Sequence, residues 1–189
     1  MIQINRAIFV AAIGAPGWPI IKLKQVHSGI VSDIDDTSAA GEAVEGDAAV
    51  ASLRGVMLGV QTADCVPILI AEKAGQAVAA VHAGWGGTAA RIAESSVERL
   101  VEKFGMDPKN LIVAIGPHIG VCCYEVGEEV AEAMPASVER RSEWSKPHLN
   151  LAHANFQQLL GQSGQDDGEK HAHNSAMLQL PSIVFEKSG

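Results

Sequence analysis

The sequence predicts a mixed α/β domain whose strands cluster in the middle of the chain, and three observations predict it. Val56 to Val60, Val66 to Ala71 and Gln76 to Val81 are short apolar runs rich in β-branched residues. A stretch with helical spacing follows them, from Thr88 to Phe104. No internal repeat and no linker divides the chain into two units.

The elements follow in order. The first twenty residues read as a short apolar helix closed by the turn Pro16-Gly17-Trp18-Pro19. Part of it, Ala7 to Ala15, has the length of a signal-peptide core. The turn that follows, and a downstream chain without a disulfide pattern, favour a helix of the domain. Ile20 to Val26 reads as a strand leading into His27, and Ile30 to Ile34 as its continuation. Residues 35–46 are acidic and contain glycine, which makes a surface loop. Asp47 to Ala51 is a short strand candidate. The three central runs are continuous rather than alternating in hydrophobicity, so their strands should be covered on both faces. Glu72-Lys73-Ala74-Gly75 supplies a hairpin turn between the last two.

Thr88 is a suitable cap for a helix whose apolar positions Ala89, Ile92, Ala93, Val97, Leu100, Val101 and Phe104 share one face. Gly105 is its expected stop. Leu111 to Ile115 reads as a strand, Val126 to Met134 as a helix ending before Pro135, and Leu151 to Leu160 as another helix. Beyond Gly161 the text is polar and unpatterned, with only Leu178 to Phe185 suited to a strand.

Composition limits the function classes. The 189 residues are 47% hydrophobic and 19% charged, an ordinary globular balance with enough chain for a real core. A net charge of -8 argues against general nucleic-acid binding, since no basic face is left to release counterions. Arg140-Arg141 lies between Glu139 and Glu143 and reads as a solvated helix face. No run approaches the ~20 apolar residues of a membrane span. Three cysteines, two of them adjacent (Cys122, Cys123), suit a reducing, cytoplasmic setting.

Three positions carry chemistry: His27 at a strand end, Asp64-Cys65 between two strands, and His82 at the end of a third. One Cys and two His form a mixed soft and borderline ligand set suited to zinc or to copper, with a position left for water or substrate. The same trio also suits a Cys nucleophile with a His base, or simple core packing. Asp64 is placed to orient a His or to bind a substrate hydroxyl.

The strings LKQVHS (Leu23 to Ser28), QTADCVPILIA (Gln61 to Ala71), AVHAGWGGTAARI (Ala80 to Ile92) and IGPHIGVCCYEVGEEV (Ile115 to Val130) resemble the laccase-domain, or YfiH-like, family. Its members are described as polyphenol oxidases and as purine nucleoside phosphorylases, and the match runs in order over roughly residues 5–160. The resemblance implies a layered α/β/β/α sandwich, akin to a cysteine-hydrolase-like toxin domain, over residues 1–160, with a divergent tail at 161–189. It implies that His27, Cys65 and His82 correspond to the zinc-binding trio. It also implies phosphorolysis of adenosine, inosine and methylthioadenosine, and deamination of adenosine. Asp64 or Glu125 is then the candidate proton carrier beside catalytic Cys65 and His82, while Gly84 and Gly116-Pro117 let backbone approach a ligand.

The alternative reactions are copper-dependent oxidation of phenols and, within the family, hydrolytic editing of peptidoglycan precursors. The expected partner is a small molecule: a nucleoside with or without phosphate, or a phenol. Three departures bear on these expectations. The family usually has a longer N-terminal region, an Arg after the Trp of HAGW where Gly86 stands here, and an ending with a cysteine and an aromatic-Arg-Arg string. An Arg would make a natural anion contact. Losing it favours a further alternative, a truncated ligand-binding homologue without turnover.

Overall fold

The computed structural model describes residues 2–37, 44–163 and 183–187. Helix α1 (Ile2–Ala12) leads through the Pro-Gly-Trp-Pro turn into β1 (Ile20–Lys24). The strands β2 (Val31–Ile34), β3 (Val44–Glu45) and β4 (Ala48–Ala51) follow. The central strands are β5 (Met57–Thr62), β6 (Val66–Glu72) and β7 (Val78–Ala83). After α2 (Trp85–Ala89) and α3 (Ile92–Phe104) come β8 (Leu111–Ile115) and α4 (Glu128–Ala133). The short strands β9 (Val138–Glu139) and β10 (His148–Leu149), helix α5 (Leu151–Ser163) and strand β11 (Ile183–Lys187) complete the described chain.

The strands form two main sheets. The first has the order β11-β5-β1-β3, with every neighbour parallel. The second has the order β2-β4-β7-β6-β8, antiparallel except for β2 and β4. A two-stranded ribbon of β9 and β10 stands apart.

Alternate residues of the second sheet serve two cores, which is why its strands read as continuous apolar runs. Ala48, Val50, Ile68, Ile70, Ala79 and Val81 pack outward against Ile92, Val97 and Leu100 of α3 and Leu151 of α5. Ala49, Ala51, Leu69 and Ala80 point inward against Ile21, Leu58 and Val60 of the first sheet. The outer face of the first sheet presents Met57 and Ile20 to Val10 of α1 and to Ala15 and Trp18 in the segment that follows it. The layers are therefore α/β/β/α, as the resemblance implied, and the predicted hairpin closes through Gly75 N donating to Glu72 O at 2.8 Å.

The expected helix from Thr88 to Phe104 is broken in two. Arg91 adopts a left-handed φ of 61° between α2 and α3. Thr88 is not a cap: its hydroxyl lies inside α2, donating to the Gly84 carbonyl at 2.8 Å and accepting from Asn155 Nδ2 at 2.9 Å. Burial explains the difference, because Thr88 is used to tie α2 to α5 rather than to start a helix at the surface. Gly105 ends α3 in the left-handed conformation as expected. Arg140 and Arg141 sit beyond β9 rather than on a helix, paired with Glu128 and Glu139. Of the strand expected at Leu178 to Phe185, the described part is β11, which pairs Ile183–Lys187 in parallel with β5, and residues 178–182 lie outside the described residues. His171 and His173 lie outside the described residues.

Candidate metal centre

The second sheet's register builds one side of the site. β4 and β7 pair with Ala48 opposite Val81, so Asp47 falls opposite His82 at the end of the ladder. The His82 N–H donates to the Asp47 carbonyl at 2.7 Å. Both residues share the inward face with Ala49 and Ala80, toward the first sheet. Pro67 of β6 pairs with His82, and Cys65 lies two residues before it in the turn from β5.

The first sheet supplies the other side. β1 ends at Lys24, and Gln25 extends its grip on β5 by donating to the Gln61 carbonyl and accepting from the Gln61 N–H. Three residues past the strand, His27 takes a φ of 58°. That conformation is uncommon for a residue with a Cβ and is kept only where the surroundings hold it. Asp47 holds it. Its carboxylate accepts from the N–H groups of Val26 at 3.2 Å, His27 at 3.0 Å and Ser28 at 2.7 Å, and from the Ser28 hydroxyl at 2.8 Å.

The result brings His27, Cys65 and His82 together, with one ligand atom from each lying within 4.8 Å of the others. His27 is exposed, Cys65 half-buried and His82 buried, and the two imidazoles meet edge to face with centroids 4.9 Å apart. Gly84 closes the cradle: a Cβ there would stand 3.0 Å from the His27 ring and 3.2 Å from Cys65 Sγ. At Gly86 a Cβ would stand 2.8 Å from the His27 carbonyl oxygen. The position where the family usually places Arg is thus packed directly against the backbone of a candidate ligand.

Electrostatics suits a cation. Burial, then the negative charges of Asp64 and Asp47, push the Cys65 thiol above its ordinary value. A thiol so placed is a poor free nucleophile, and a divalent cation is the partner that reverses the effect. Burial lowers the pKa of His82 despite its contact with Asp47, which favours the neutral imidazole that a metal requires. Burial also works to raise Asp47. The hydrogen bonds from Ser28, His82 and Val26 outweigh it and hold the carboxyl below its usual value. Two borderline nitrogens and one sulfur fit zinc or copper, and the structure offers them from elements that packing has already fixed.

The other expected residues lie around this group. Asp64 is exposed beside Cys65, and its carbonyl accepts from Ile119 N–H at 2.9 Å, fixing the loop after Gly116-Pro117 alongside. Tyr124 in that loop is half-buried, and burial, then the charges of Cys65 and Asp64, push its hydroxyl above the usual value. Glu125 is turned to Lys146 at 2.7 Å, which holds its carboxyl below the usual range. Asp47 was missed as a functional residue. Its signal was present as the first letter of a strand otherwise made of alanine and valine, an odd place for a carboxylate unless something receives it.

A model of the family described as "Multi-copper polyphenol oxidoreductase laccase" matches residues 1–174. The chain is 39% identical over 164 residues to a "Purine nucleoside phosphorylase" of Deinococcus radiodurans, covering 83% of this chain and 61% of that protein. It is 42% identical over 130 residues to "Adenosine deaminase RL5" from an unknown prokaryotic organism, covering 65% of this chain and 48% of that one. Among solved structures, YlmD of Geobacillus stearothermophilus superposes with a TM-score of 0.74 at 30% identity, covering 86% of this chain and 65% of that one. YfiH of Bacillus licheniformis gives the same TM-score at 23% identity over 97% of this chain and 68% of that one, a likeness of fold. The chain thus spans about half to two thirds of the length of these relatives. A family match over residues 1–174, together with these relatives and the shared fold, shows that the chain belongs to the laccase-like YfiH family.

Proposed function

We propose that this chain carries the metal centre of a zinc-dependent purine nucleoside enzyme. Its reactions are phosphorolysis of adenosine, inosine and methylthioadenosine, and deamination of adenosine. The observation that carries the reading is the convergence of His27, Cys65 and His82 within 4.8 Å, in a chain similar to proteins named for those two activities. In this reading the three side chains hold zinc, which supplies a lowered pKa for water or a contact that orients a phosphate oxygen. Asp64 is the preferred proton carrier, being exposed and adjacent to Cys65. Glu125 is the second choice, because it must first leave Lys146. Gly84 and Gly116-Pro117 keep the backbone close to the bound nucleoside. Residues 1–160 form the laccase-like unit and residues 161–189 a divergent tail, from which the strand Ile183–Lys187 adds an edge beside β5.

A second reading, copper-dependent phenol oxidation, is favoured by the family's description as multi-copper polyphenol oxidoreductases and uses the same ligands. One experiment separates them. Protein reconstituted with zinc or with copper is given adenosine with and without phosphate, and a phenol with oxygen, and products are followed by chromatography and oxygen uptake. Release of adenine or inosine by the zinc form, abolished in Cys65→Ala, supports the nucleoside reading. Equal turnover in Cys65→Ala overturns it, and oxygen uptake by the copper form alone supports the second.

A further inference from the structure

We propose that Asp47 is the positioning residue of this site, fixing one histidine's tautomer and the other's backbone through a single carboxylate. The assignment rests on the metal-centre reading but is testable apart from it. Asp47 is fully buried, and its two oxygens divide the work. Oδ1 faces His82 Nδ1 at 2.8 Å and the His27 N–H at 3.0 Å. Oδ2 faces the N–H groups of Val26 and Ser28 and the Ser28 hydroxyl.

An ionised carboxylate accepts only, so His82 must donate from Nδ1. That choice leaves the Nε2 lone pair unprotonated, which is what a ligand needs. The same carboxylate draws three successive N–H groups of residues 26–28 inward, and this curl is what places His27 at its positive φ. One residue of the second sheet therefore sets a donor in each sheet.

Replacing Asp47 by Asn separates these tasks, because an amide offers one acceptor and one donor group. The loop's N–H groups at Val26 and Ser28 cannot change sign, so they claim the amide oxygen. The amide NH2 then faces both His82 Nδ1 and the His27 N–H, so the loop also gives up its His27 hydrogen bond. The imidazole can answer by moving its proton to Nε2, which removes the free lone pair. The site is predicted to fail through the tautomer, with the polypeptide otherwise folded.

The test reads the tautomer directly, by long-range 1H–15N NMR of the histidines in metal-free protein, and zinc affinity by competition with a chromophoric chelator. Metal-free wild type should show His82 protonated on Nδ1, and D47N should show it on Nε2. D47N should bind zinc 10–100-fold more weakly. C65A, which removes a ligand without touching Asp47, should lose zinc yet keep the Nδ1–H form. If wild type binds no zinc but the tautomer still switches in D47N, the metal reading falls and the assignment of Asp47 stands. An Nε2–H His82 in metal-free wild type overturns the assignment, whether or not D47N folds. So does a D47N protein that loses affinity with its tautomer unchanged, since the carboxylate then does not set the proton on His82.

Discussion

Adding one methyl group at Gly86 is predicted to disturb the site from behind. The new Cβ would stand 2.8 Å from the His27 carbonyl, and ordinary contact begins at 3.4 Å, so the two must part by about 0.6 Å. Neither side yields readily. Gly86 is in the first turn of α2, whose Thr88 is bonded to Asn155 on α5. His27 is held by its own N–H and its neighbours' on Asp47. Overpacking of this kind costs about 1–3 kcal/mol. A donor displaced by several tenths of an ångström exceeds the ~0.2 Å tolerance of a metal–ligand bond.

If the strain falls on the ligand loop, Gly86→Ala weakens zinc binding by roughly 10–100-fold, the range for a lost supporting contact. If it falls on the fold, the melting temperature of the metal-free protein drops by about 2–4 °C per kcal/mol. Chelator competition and thermal melts read the two outcomes separately. Gly161→Ala is the control: it is also a helical glycine, but its Cβ meets nothing within 4 Å, so it should be neutral or slightly stabilising. Gly86→Arg carries the same Cβ and should lose at least as much affinity, despite restoring the residue the family usually has. A G86A protein with wild-type affinity and wild-type melting temperature would refute the reasoning.

His27→Gly and His27→Ala both remove a donor, but the glycine variant should be the more stable of the two by about 1 kcal/mol in urea unfolding, since only alanine resists φ near 58°; equal stabilities would mean the loop relaxes. Cys65 in metal-free protein should react with iodoacetamide more slowly at pH 7.5 than an unhindered thiol and still be accelerating above pH 9, because its folded-state value is raised, and bound zinc should block the reaction. Asp33 accepts from Arg99 and lies 2.9 Å from Lys103, which together hold its carboxyl below 3.8 despite partial burial. A lowered value means its stabilisation is present above about pH 4 and fades as acid protonates the folded form, so Asp33→Asn should cost up to ~1 kcal/mol at pH 7 and progressively less below pH 4.

Much of this architecture was legible in the chain, and the exceptions have physical reasons. Leu111–Ile115 is read to the residue, and the three central strands to within two, because burial on both faces leaves a run that turn residues bound sharply. The break at Arg91 was hidden, since apolar spacing continues across it and nothing in the local letters demands a left-handed residue. The short strands β3, β9 and β10 have two residues each, too few to show any period. At the site, His27, Cys65 and His82 announced themselves as reactive residues at the ends of covered strands. Asp47 did not, because its partners at 26–28 and at 82 are remote in sequence and only the strand register brings them together.

That register also ties the site to the stability of the fold. His27 hangs from the first sheet, His82 ends a strand of the second, and Cys65 sits in the turn that carries the chain from one to the other. Asp47, at the head of β4, reaches back across the gap to the loop after β1. An ion held by the three side chains therefore pins the two sheets together at an end where loops and turns, rather than strand ladders, hold them. Binding that is confined to the folded state stabilises it by about 2.7 kcal/mol when free ligand is a hundred times its Kd. The melting temperature should accordingly climb with zinc in wild type and stay flat in C65A.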